Sequence, residues 1–514
     1  MNEKVGNFIE AVFPVREESR SNRLAFWLDR AIYFCIFLLA VAAPVSIAAT
    51  NIAWLSGLAL WILRFFVVRP RPRLFRSPLD FALLGFFVWC LFSCFFSYAP
   101  DLSFDRLRVL TLFPIAYLVS QNVFHPKTVR FLAAVLIFSC AGSVVWTFVQ
   151  RIPGRGVQVY GVKPEGALGA AKFQDGDTLL RINGKRFRQP EDLIAALENG
   201  ETIKLNAHRT DWHVDGELSR NKLADGASAA EKLGFERWKP NRTWRAEGFY
   251  SHYATYAEVL QLILSLAFGI FIALPDKRSK LGVLLLICLV GMSAALVLTA
   301  TRGSQLGFVL SALAIVSVGA NRKVLLALVA VFLPLALVAV VFVQQTRNVG
   351  FYDRSDNSTT WRETVWREGF ELLTKSPRHL TVGVGIDSIN RFRCDWGLFA
   401  KCTLQPGHFH STPLQIAVEC GLPALFLWLF VVFRYGKTLL DSIKNKSAEW
   451  LEKGILLGAL GGLVGFFASG AVHFNLGDSE VAMTFYFIMG LSLIIRRNLR
   501  ERKGADDASA PLTI

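Results

Sequence analysis

Apolar and charged stretches alternate along almost the whole chain. A helix that crosses a bilayer needs about 20 mainly apolar residues, and twelve stretches of roughly that length carry little charge. They occupy residues 31–49, 51–68, 79–97, 107–123, 129–150, 249–274, 281–300, 304–320, 323–343, 412–433, 452–472 and 480–495. The pattern therefore predicts about twelve transmembrane helices.

The composition agrees with this pattern. Of the 514 residues, 53% are hydrophobic, and the mean hydropathy is +0.39, which is too apolar for a soluble protein of this length. Residues 1–23 carry scattered charges and only a short apolar patch, so no cleavable signal peptide is expected. The predicted fold class is an α-helical polytopic membrane protein.

The positive charge predicts the orientation of the chain. The net charge is +16, and Lys and Arg are concentrated in every second connection, such as "RPRPRLFR" at 69–76 and "PDKRSK" at 275–280. Because basic loops are retained in the cytoplasm, we expect a bacterial inner-membrane protein with both termini cytoplasmic. The basic clusters lie on separate short loops, which favours anionic lipid headgroups and argues against nucleic acid as a partner.

Residues 151–248 interrupt the membrane pattern and predict a small α+β domain between the fifth and sixth helices. The turn signals "QDGD" and "INGK" separate the strand-like runs "TLLRI" and "TIKLNAHR", and "PEDLIAAL" begins a short helix. Residues 160–210 resemble a PDZ domain of the bacterial protease type. The resemblance implies a peptide or protein ligand bound by strand addition, and a structural spacer or docking module is the alternative.

Residues 344–411 form a second long outer segment, and loops of this length are usually functional. The stretch "TTWRETVWREGFELL" predicts a helix with Trp361, Val365 and Phe370 on one face, followed by the glycine-rich turn "GVGIDSI". The predicted division of the chain is membrane helices at 1–150, 249–343 and 412–496, periplasmic segments at 151–248 and 344–411, and a cytoplasmic tail at 497–514.

The eight cysteines fall into two groups. Six lie within or beside predicted spans, where small apolar core residues are expected. Cys394 and Cys402 lie in the outer segment instead. Since disulfides persist in the periplasm, we predict a bridge between these two residues, with free thiols as the alternative.

The segment "GHFHSTPLQ" places two histidines immediately before the tenth predicted helix, whose first turn accommodates Pro413. His410 can act there as a general base, a metal ligand or a residue near the helix cap. No Asp, Glu or Cys lies at a close spacing that would complete a metal site with His408 and His410. The sequence therefore disfavours a metal and leaves a general base or a residue near the helix cap; no metal or cofactor is expected.

Three arginines are expected on the same outer face: Arg302 in "TATRGSQLG", Arg245 in "WRAEGFY" and Arg362 in the long segment. Each of them alone is explained by a snorkelling or salt-bridged side chain at the membrane interface. Arg302 fits that explanation least, because Gly303 and Ser304 expose backbone amides at a helix start. Together the arginines suggest a site for a lipid carrier with phosphates, which guanidinium groups bind through paired hydrogen bonds.

In order and spacing, the motifs "GFYSHYATYAEVL", "TATRGSQLG", "WRETVWREGFELL" with "GVGIDSI", and "HFHSTPLQIAVECGLPALFLW" resemble the O-antigen ligase and polymerase superfamily of bacterial membrane glycosyltransferases. The resemblance covers the chain outside the insert, and residues 245–430 most specifically. It implies metal-independent, inverting transfer of a glycan from an undecaprenyl diphosphate carrier to an acceptor hydroxyl at the periplasmic face. By this resemblance Arg302, Arg362 and Arg245 bind the diphosphate. His410 would activate the acceptor.

The sequence departs from the superfamily in two respects. The residue after the histidine is commonly Asn and is Ser411 here, so Ser411 and His408 are the candidates for a hydrogen bond to the base. The insert is not a usual feature of the superfamily, and Arg242 is an alternative to Arg245 as the third phosphate contact.

Several functions stay open within and outside the superfamily. Ligation of O-antigen to lipid A-core, in lipopolysaccharide biosynthesis, is the first interpretation. A protein O-oligosaccharyltransferase or an O-antigen polymerase is the alternative enzyme. A transporter of lipid-linked glycans is the non-enzyme alternative, but transporters often show internal repeats or charges near mid-membrane, whereas the charges here lie at the outer boundary.

Overall fold

The computed structural model describes residues 7–509 except 8–9, 21, 70, 72–73, 210–211, 243, 321–356 and 405–406. Its internal contacts divide the chain into two compact units. The membrane unit comprises Met1–Val144 and Ala246–Ile514, and the insert unit comprises Val145–Arg245.

Within the described part of residues 17–151, seven helices precede the strands of the insert. They are α1 (Glu17–Arg20), α2 (Arg23–Ala42), α3 (Ile47–Val67), α4 (Asp80–Phe95), α5 (Pro100–Leu110), α6 (Pro114–Asn122) and α7 (Pro126–Arg151). Polar side chains start the first two spans, since Asn22 caps α2 and Ser46 caps α3 by accepting hydrogen bonds from first-turn amides.

The insert unit is built on an antiparallel sheet with the strand order β5-β4-β2-β1-β6, and β3 pairs with β2. Its elements are β1 (Val157–Tyr160), α8 (Ala167–Ala170), β2 (Thr178–Ile182), β3 (Lys185–Arg186), α9 (Glu191–Glu198), β4 (Thr202–Arg209), β5 (Trp212–Ser219), α10 (Ala229–Leu233) and β6 (Arg237–Pro240). The two predicted strands coincide with β2 and β4. The unit has its own apolar core, which includes Val157, Leu179 and Leu205.

The helices after the insert carry the rest of the membrane unit. They are α11 (Tyr253–Ala273), α12 (Lys280–Leu298), α13 (Arg302–Gly319), α14 (Asn357–Thr374), α15 (Pro377–Val382), α16 (Ser388–Phe392), α17 (Leu398–Cys402), α18 (Thr412–Ile443), α19 (Trp450–Gly470) and α20 (Ser479–Ser509).

Within the described residues, nine helices are long and apolar enough to cross a membrane: α2, α3, α7, α11, α12, α13, α18, α19 and α20. This confirms the prediction of a multi-pass helical membrane protein. Helix α4 is apolar but has 16 residues, and the predicted span 323–343 lies outside the described residues. The predicted span 107–123 is wrong as a single helix, because Pro114 starts a new helix there.

Glycines bring three membrane helices into close contact. A β-carbon on Gly269 of α11 would lie 2.2 Å from the backbone nitrogen of Gly458 on α19. One on Gly461 of α19 would lie 2.4 Å from the side chain of Ile315 on α13. Small residues allow such close approach of helices in a membrane, so α11, α13 and α19 form a tight group.

Helix α18 is kinked at Gly421, where φ is +83°, two residues before Pro423. Pro423 has no N–H to donate to the carbonyl of Glu419, and the amide of Gly385 donates to that carbonyl at 2.8 Å instead. The glycine-rich turn predicted from "GVGIDSI" therefore supplies a donor for the carbonyl that the kink leaves free. Irregular backbone within a membrane protein needs such a partner.

The described part of the outer segment has an apolar core of its own, which includes Val365, Phe399 and Phe409. Helix α14 forms as predicted, but Phe370 is 59% exposed and not part of its buried face. The neighbouring Gly369 faces Phe409 instead, so Phe370 points away from this core.

A disulfide joins Cys394 and Cys402, the pair singled out in the sequence. The bridge encloses α17, in which Phe399 and Ala400 have left-handed backbone angles. The carboxylate of Glu368 accepts hydrogen bonds from the amides of these two residues, at 2.6 and 3.0 Å. The turn is therefore held from both sides, by a covalent bond and by an ionised acceptor.

Candidate active site

A cavity of 280 Å³ lies within the membrane unit, where the start of α11, the start of α18 and the α19–α20 connection come together. Histidines and carboxylates dominate its lining: His252, His408, His410, His473, Glu258, Asp478 and Glu480. Concave sites with a few convergent polar groups are the usual place for ligand binding and catalysis.

The backbone of Phe409 fixes the two histidines of the "HFH" segment. Its amide donates to Oε1 of Gln415 and its carbonyl accepts from Nε1 of Trp366, both at 2.8 Å. The Phe409 side chain is fully buried. His408 and His410 on either side of Phe409 are therefore positioned by a residue that is fixed by its packing and its backbone hydrogen bonds.

His410 has an unusual backbone and an unoccupied ring nitrogen. Its φ is +46°, a conformation that non-glycine residues adopt mainly where the surroundings enforce it. Its ring centroid lies 4.1 Å from that of His408, 4.7 Å from Trp361 and 5.6 Å from His473. Its Nδ1 atom is buried and has no hydrogen-bond partner among the residues that the structure describes.

The surroundings keep both histidines uncharged. Burial, with further contributions from His408, His473 and Arg362, holds the pKa of His410 well below its usual range. Burial and then His252 lower the pKa of His408 to about 4. Because burial disfavours the charged imidazolium, both rings are neutral at pH 7. A neutral imidazole with an available nitrogen is what a general base requires.

The hydrogen bonds around the base differ from those expected at Ser411. The Ser411 hydroxyl accepts from the amide of Leu414 at 3.5 Å and so caps α18. The amide of His410 instead donates to Nδ1 of His408 at 3.1 Å. His408 therefore supports the backbone of His410, and Ser411 supports the helix behind it.

The α19–α20 connection is bonded to the start of α18. The amide of Thr412 donates to the carbonyl of His473 at 3.0 Å, and its hydroxyl lies 2.9 Å from Oδ1 of Asn475. The amide group of Asn475 donates back to the carbonyl of Phe466 at 2.7 Å. These contacts hold His473 beside His410.

Two of the three predicted arginines belong to the surroundings of this cavity. Arg362 follows Trp361, whose ring touches that of His410, and its charge acts on His410. Arg302 is the first residue of α13. A β-carbon on the next residue, Gly303, would lie 3.4 Å from the ring of His473. Arg245, by contrast, is the last residue of the insert unit.

Two carboxylates that line the cavity, Glu258 and Asp478, were not predicted from the sequence. Glu258 is 3% exposed in the second turn of α11, and its Oε1 has no hydrogen-bond partner among the described residues. Burial and the neighbouring Glu480 raise the pKa of Asp478 to about 7. A carboxylate inside an apolar stretch was the available signal for Glu258. Asp478 lies in the α19–α20 connection, where no sequence motif indicated a functional residue.

The described residues contain no group of three or more His, Cys, Asp or Glu side chains arranged to hold a metal ion. The two histidines of "HFH" are instead next to each other in a ring contact, with one of them accepting a backbone hydrogen bond.

Part of the candidate site lies in a stretch that matches a known protein family. Residues 283–429 match the family model described as O-antigen ligase, and this stretch contains Arg302, Arg362, His408 and His410. Glu258 and Asp478 lie outside it.

Two curated relatives match parts of the chain. The exopolysaccharide production protein ExoQ of Rhizobium meliloti is 28% identical over 205 residues, which are 36% of this chain and 46% of that protein. The magnetosome formation protease MamE of Magnetospirillum gryphiswaldense is 29% identical over 100 residues, 18% of this chain and 12% of that protein. The chain spans less than half the length of either relative. The resemblance to the O-antigen ligase and polymerase superfamily is thus confirmed over residues 283–429, which match its O-antigen ligase model.

Proposed function

We propose that the protein transfers an oligosaccharide or polysaccharide from an undecaprenyl diphosphate carrier to an acceptor hydroxyl at the periplasmic face of the inner membrane. The observation that carries the proposal is His410, a buried, neutral imidazole whose Nδ1 has no hydrogen-bond partner among the described residues, in a stretch that matches the O-antigen ligase model. Ligation of O-antigen to lipid A-core is the reaction we propose first.

The chemistry needs one proton acceptor and compensation for negative charge. His410 takes the proton of the acceptor hydroxyl as that oxygen attacks the anomeric carbon. The bond from this carbon to the carrier phosphate breaks, and the carrier leaves as a diphosphate with its own electron pair. Attack opposite the leaving group inverts the anomeric configuration. No covalent intermediate and no metal are required.

Arg302 and Arg362 would hold the diphosphate. Guanidinium groups make two-point contacts with phosphate oxygens and stay charged at all working pH values. Two observations support this role. The charge of Arg362 contributes to the lowered pKa of His410. Arg302 precedes Gly303, on which a β-carbon would lie 3.4 Å from the ring of His473. Arg245 is proposed as the third contact on the resemblance alone.

The insert offers a second route to an acceptor. Strand β6 ends the sheet order, and all four of its residues are exposed. Arg237 and Lys239 lie 5.3 and 4.9 Å from the ring centroid of Tyr160, which makes this edge basic. An acidic peptide could add a strand there, which would favour a protein acceptor. Reversing both charges should then reduce transfer to protein and leave transfer to lipid A-core unchanged.

The similarity to ExoQ, an exopolysaccharide production protein, favours chain polymerisation as the second candidate. A polymerase uses the same donor, and its acceptor is another carrier-linked glycan. The proposed base and arginines would serve both reactions, so the acceptor decides between them.

The test is a transfer reaction with purified protein in nanodiscs and a chelator present. An undecaprenyl diphosphate-linked glycan is supplied with lipid A-core, with a candidate protein, or alone, and products are identified by gel shift and mass spectrometry. We expect transfer to lipid A-core, with an inverted linkage by NMR. Transfer only to protein, or only between carrier-linked glycans, would replace ligation by the alternative enzyme. Transport of donor without any transfer would contradict the proposal.

A further inference from the structure

The start of α11 and the α19–α20 connection bring two incompletely bonded carboxylates to the same cavity. Glu258 is 3% exposed, and its Oε1 is buried without a hydrogen-bond partner among the described residues. Oδ2 of Asp478 accepts from the hydroxyl of Thr255 at 2.6 Å, whereas its Oδ1 is also buried without a partner in that part of the chain. Both residues line the cavity that contains His410.

A purely structural role explains these groups poorly. Glu258 lies in a helix that is apolar enough to cross the membrane, where an ionisable side chain is costly and usually functional. Neither Glu258 nor Asp478 takes part in an ion pair within the described part of the chain. Buried acceptor oxygens without donors reduce stability unless a ligand supplies the donors.

The ligand that fits has neutral hydroxyl donors. The described residues that line the cavity include no arginine or lysine, so this part of the cavity does not suit the diphosphate of the donor. Acceptor sugars, in contrast, present pairs of adjacent hydroxyl groups, and a carboxylate oxygen is a strong acceptor for each of them. Thr255 already orients one of the two carboxylates.

We propose that Glu258 and Asp478 form the acceptor subsite, in which they bind two neighbouring hydroxyl groups of the acceptor sugar and direct a third towards His410. This inference rests on the proposed transferase function and adds the place where the acceptor binds. The reacting hydroxyl gives its proton to His410, and the two carboxylates exchange no proton in the reaction. They are positioning residues for the acceptor.

The experiment measures steady-state transfer by full-length protein in nanodiscs, with donor and acceptor concentrations varied separately. Glu258→Gln keeps the size of the side chain and replaces one acceptor oxygen with a donor. We expect the acceptor KM to rise about tenfold or more, as for the loss of a hydrogen bond to a charged group. The donor KM should stay unchanged, and kcat should stay within about threefold.

Two comparisons make this result specific. Asp478→Asn should reproduce the effect, and Glu371→Gln, which changes an exposed carboxylate on the outer helix α14, should have none. The thermal transition of Glu258→Gln should not fall below that of wild type, because an unsatisfied buried carboxylate is removed. A lower transition would assign Glu258 a structural role and overturn the inference, as would an unchanged acceptor KM or an equal rise in both KM values.

Failure of the proposed function would be recognised separately. If wild type transfers glycan to no acceptor, binding of lipid A-core to the same nanodiscs is measured for wild type and Glu258→Gln. Weaker binding by the variant would support an acceptor-binding subsite without the transferase. Equal binding would overturn the subsite.

Discussion

Burial shifts the pKa values of two groups of cavity residues in opposite directions. We call His408 and His410 the histidine side, and Glu258 and Asp478 the carboxylate side. On the histidine side, burial lowers the pKa of His410 and His408, so both imidazoles lose their positive charge. On the carboxylate side, burial raises the pKa of Asp478 to about 7, which favours its neutral form. The same desolvation therefore prepares a base on one side and moderates negative charge on the other.

This difference assigns different partners to the two sides. The histidine side adjoins Arg362 and the start of α13, which are suited to an anionic donor. The carboxylate side offers two oxygens that have no hydrogen-bond partner in the described part of the chain, and it suits hydroxyl donors. The anionic donor would then bind on the histidine side and the neutral acceptor on the carboxylate side, and the two would react at His410.

The largest expected effect tests the donor side. Arg302→Ala should reduce transfer by about 100-fold or more, the cost of removing a group that stabilises charge in the transition state. Arg302→Lys should still lose about tenfold or more, because an ammonium cannot make a two-point phosphate contact. Both are measured as kcat/KM for the donor. Arg391→Lys, at an exposed arginine that pairs with Asp101, is the matched control, and full activity of Arg302→Lys would contradict the paired contact.

A smaller effect tests the support of the base. His408→Ala removes the acceptor for the His410 amide and should reduce kcat by about tenfold, the value of one buried hydrogen bond. His408→Asn places an amide oxygen where Nδ1 accepts and should retain activity within about threefold. If the two variants lose the same activity, the ring of His408 has a role beyond this hydrogen bond.

The pH profile should separate the two sides. With both histidine pKa values lowered, kcat should show no loss near pH 6.5, where an ordinary histidine titrates. Asp478, with its pKa raised to about 7, goes from about one tenth to nine tenths ionised between pH 6 and pH 8. Acceptor KM should therefore fall by up to about ninefold as pH rises, since the ionised form is the better acceptor.

Asp478→Asn should abolish this pH dependence of the acceptor KM and leave that of kcat unchanged. Glu258 also lines the cavity beside Asp478, but Glu480 is the neighbour that raises the pKa of Asp478. Glu480→Gln is therefore expected to shift the midpoint towards lower pH by removing a negative neighbour. A kcat that is lost below pH 6.5 in wild type would contradict a neutral, buried His410.

The smallest effect concerns the disulfide, which lies outside both sides. Replacing Cys394 and Cys402 by Ser should destabilise the enclosed turn by about 2 kcal/mol. Phe399 in this turn stacks on Phe409, with ring centroids 6.2 Å apart, so transfer should change by no more than about twofold. Hydrogen exchange of residues 394–404 should accelerate in the variant, and unchanged exchange would show that Glu368 alone holds the turn.

Sequence periodicity predicted the parts of the fold that depend on local pattern. The signals for the long helices, apolar stretches of membrane length, lie within short segments of sequence. The same holds for the turn signals that bound β2 and β4, so these elements were predicted. The break at Pro114 was missed because the flanking residues are apolar on both sides. The kink at Gly421 depends on Gly385, which lies in another element and cannot be inferred from spacing.

The site divides in the same way. His408 and His410 stand out as a motif of neighbouring residues, and a resemblance of ordered motifs drew attention to Arg302 and Arg362. Asp478 meets Thr255 across more than 200 positions of sequence, a distance over which no spacing rule operates. The role of Ser411 as a helix cap was also not predicted. The sequence indicated where α18 starts, but it did not show which side chain accepts the hydrogen bonds there.

The most direct test of the whole account is single-turnover transfer by wild type and His410→Ala, each preloaded with undecaprenyl diphosphate-linked glycan and mixed with lipid A-core in the presence of a chelator. The account predicts that wild type transfers the glycan and that His410→Ala, with donor still bound, is slower by about 100-fold or more. Equal rates for the two proteins, or loss of wild-type transfer on chelation, would contradict it.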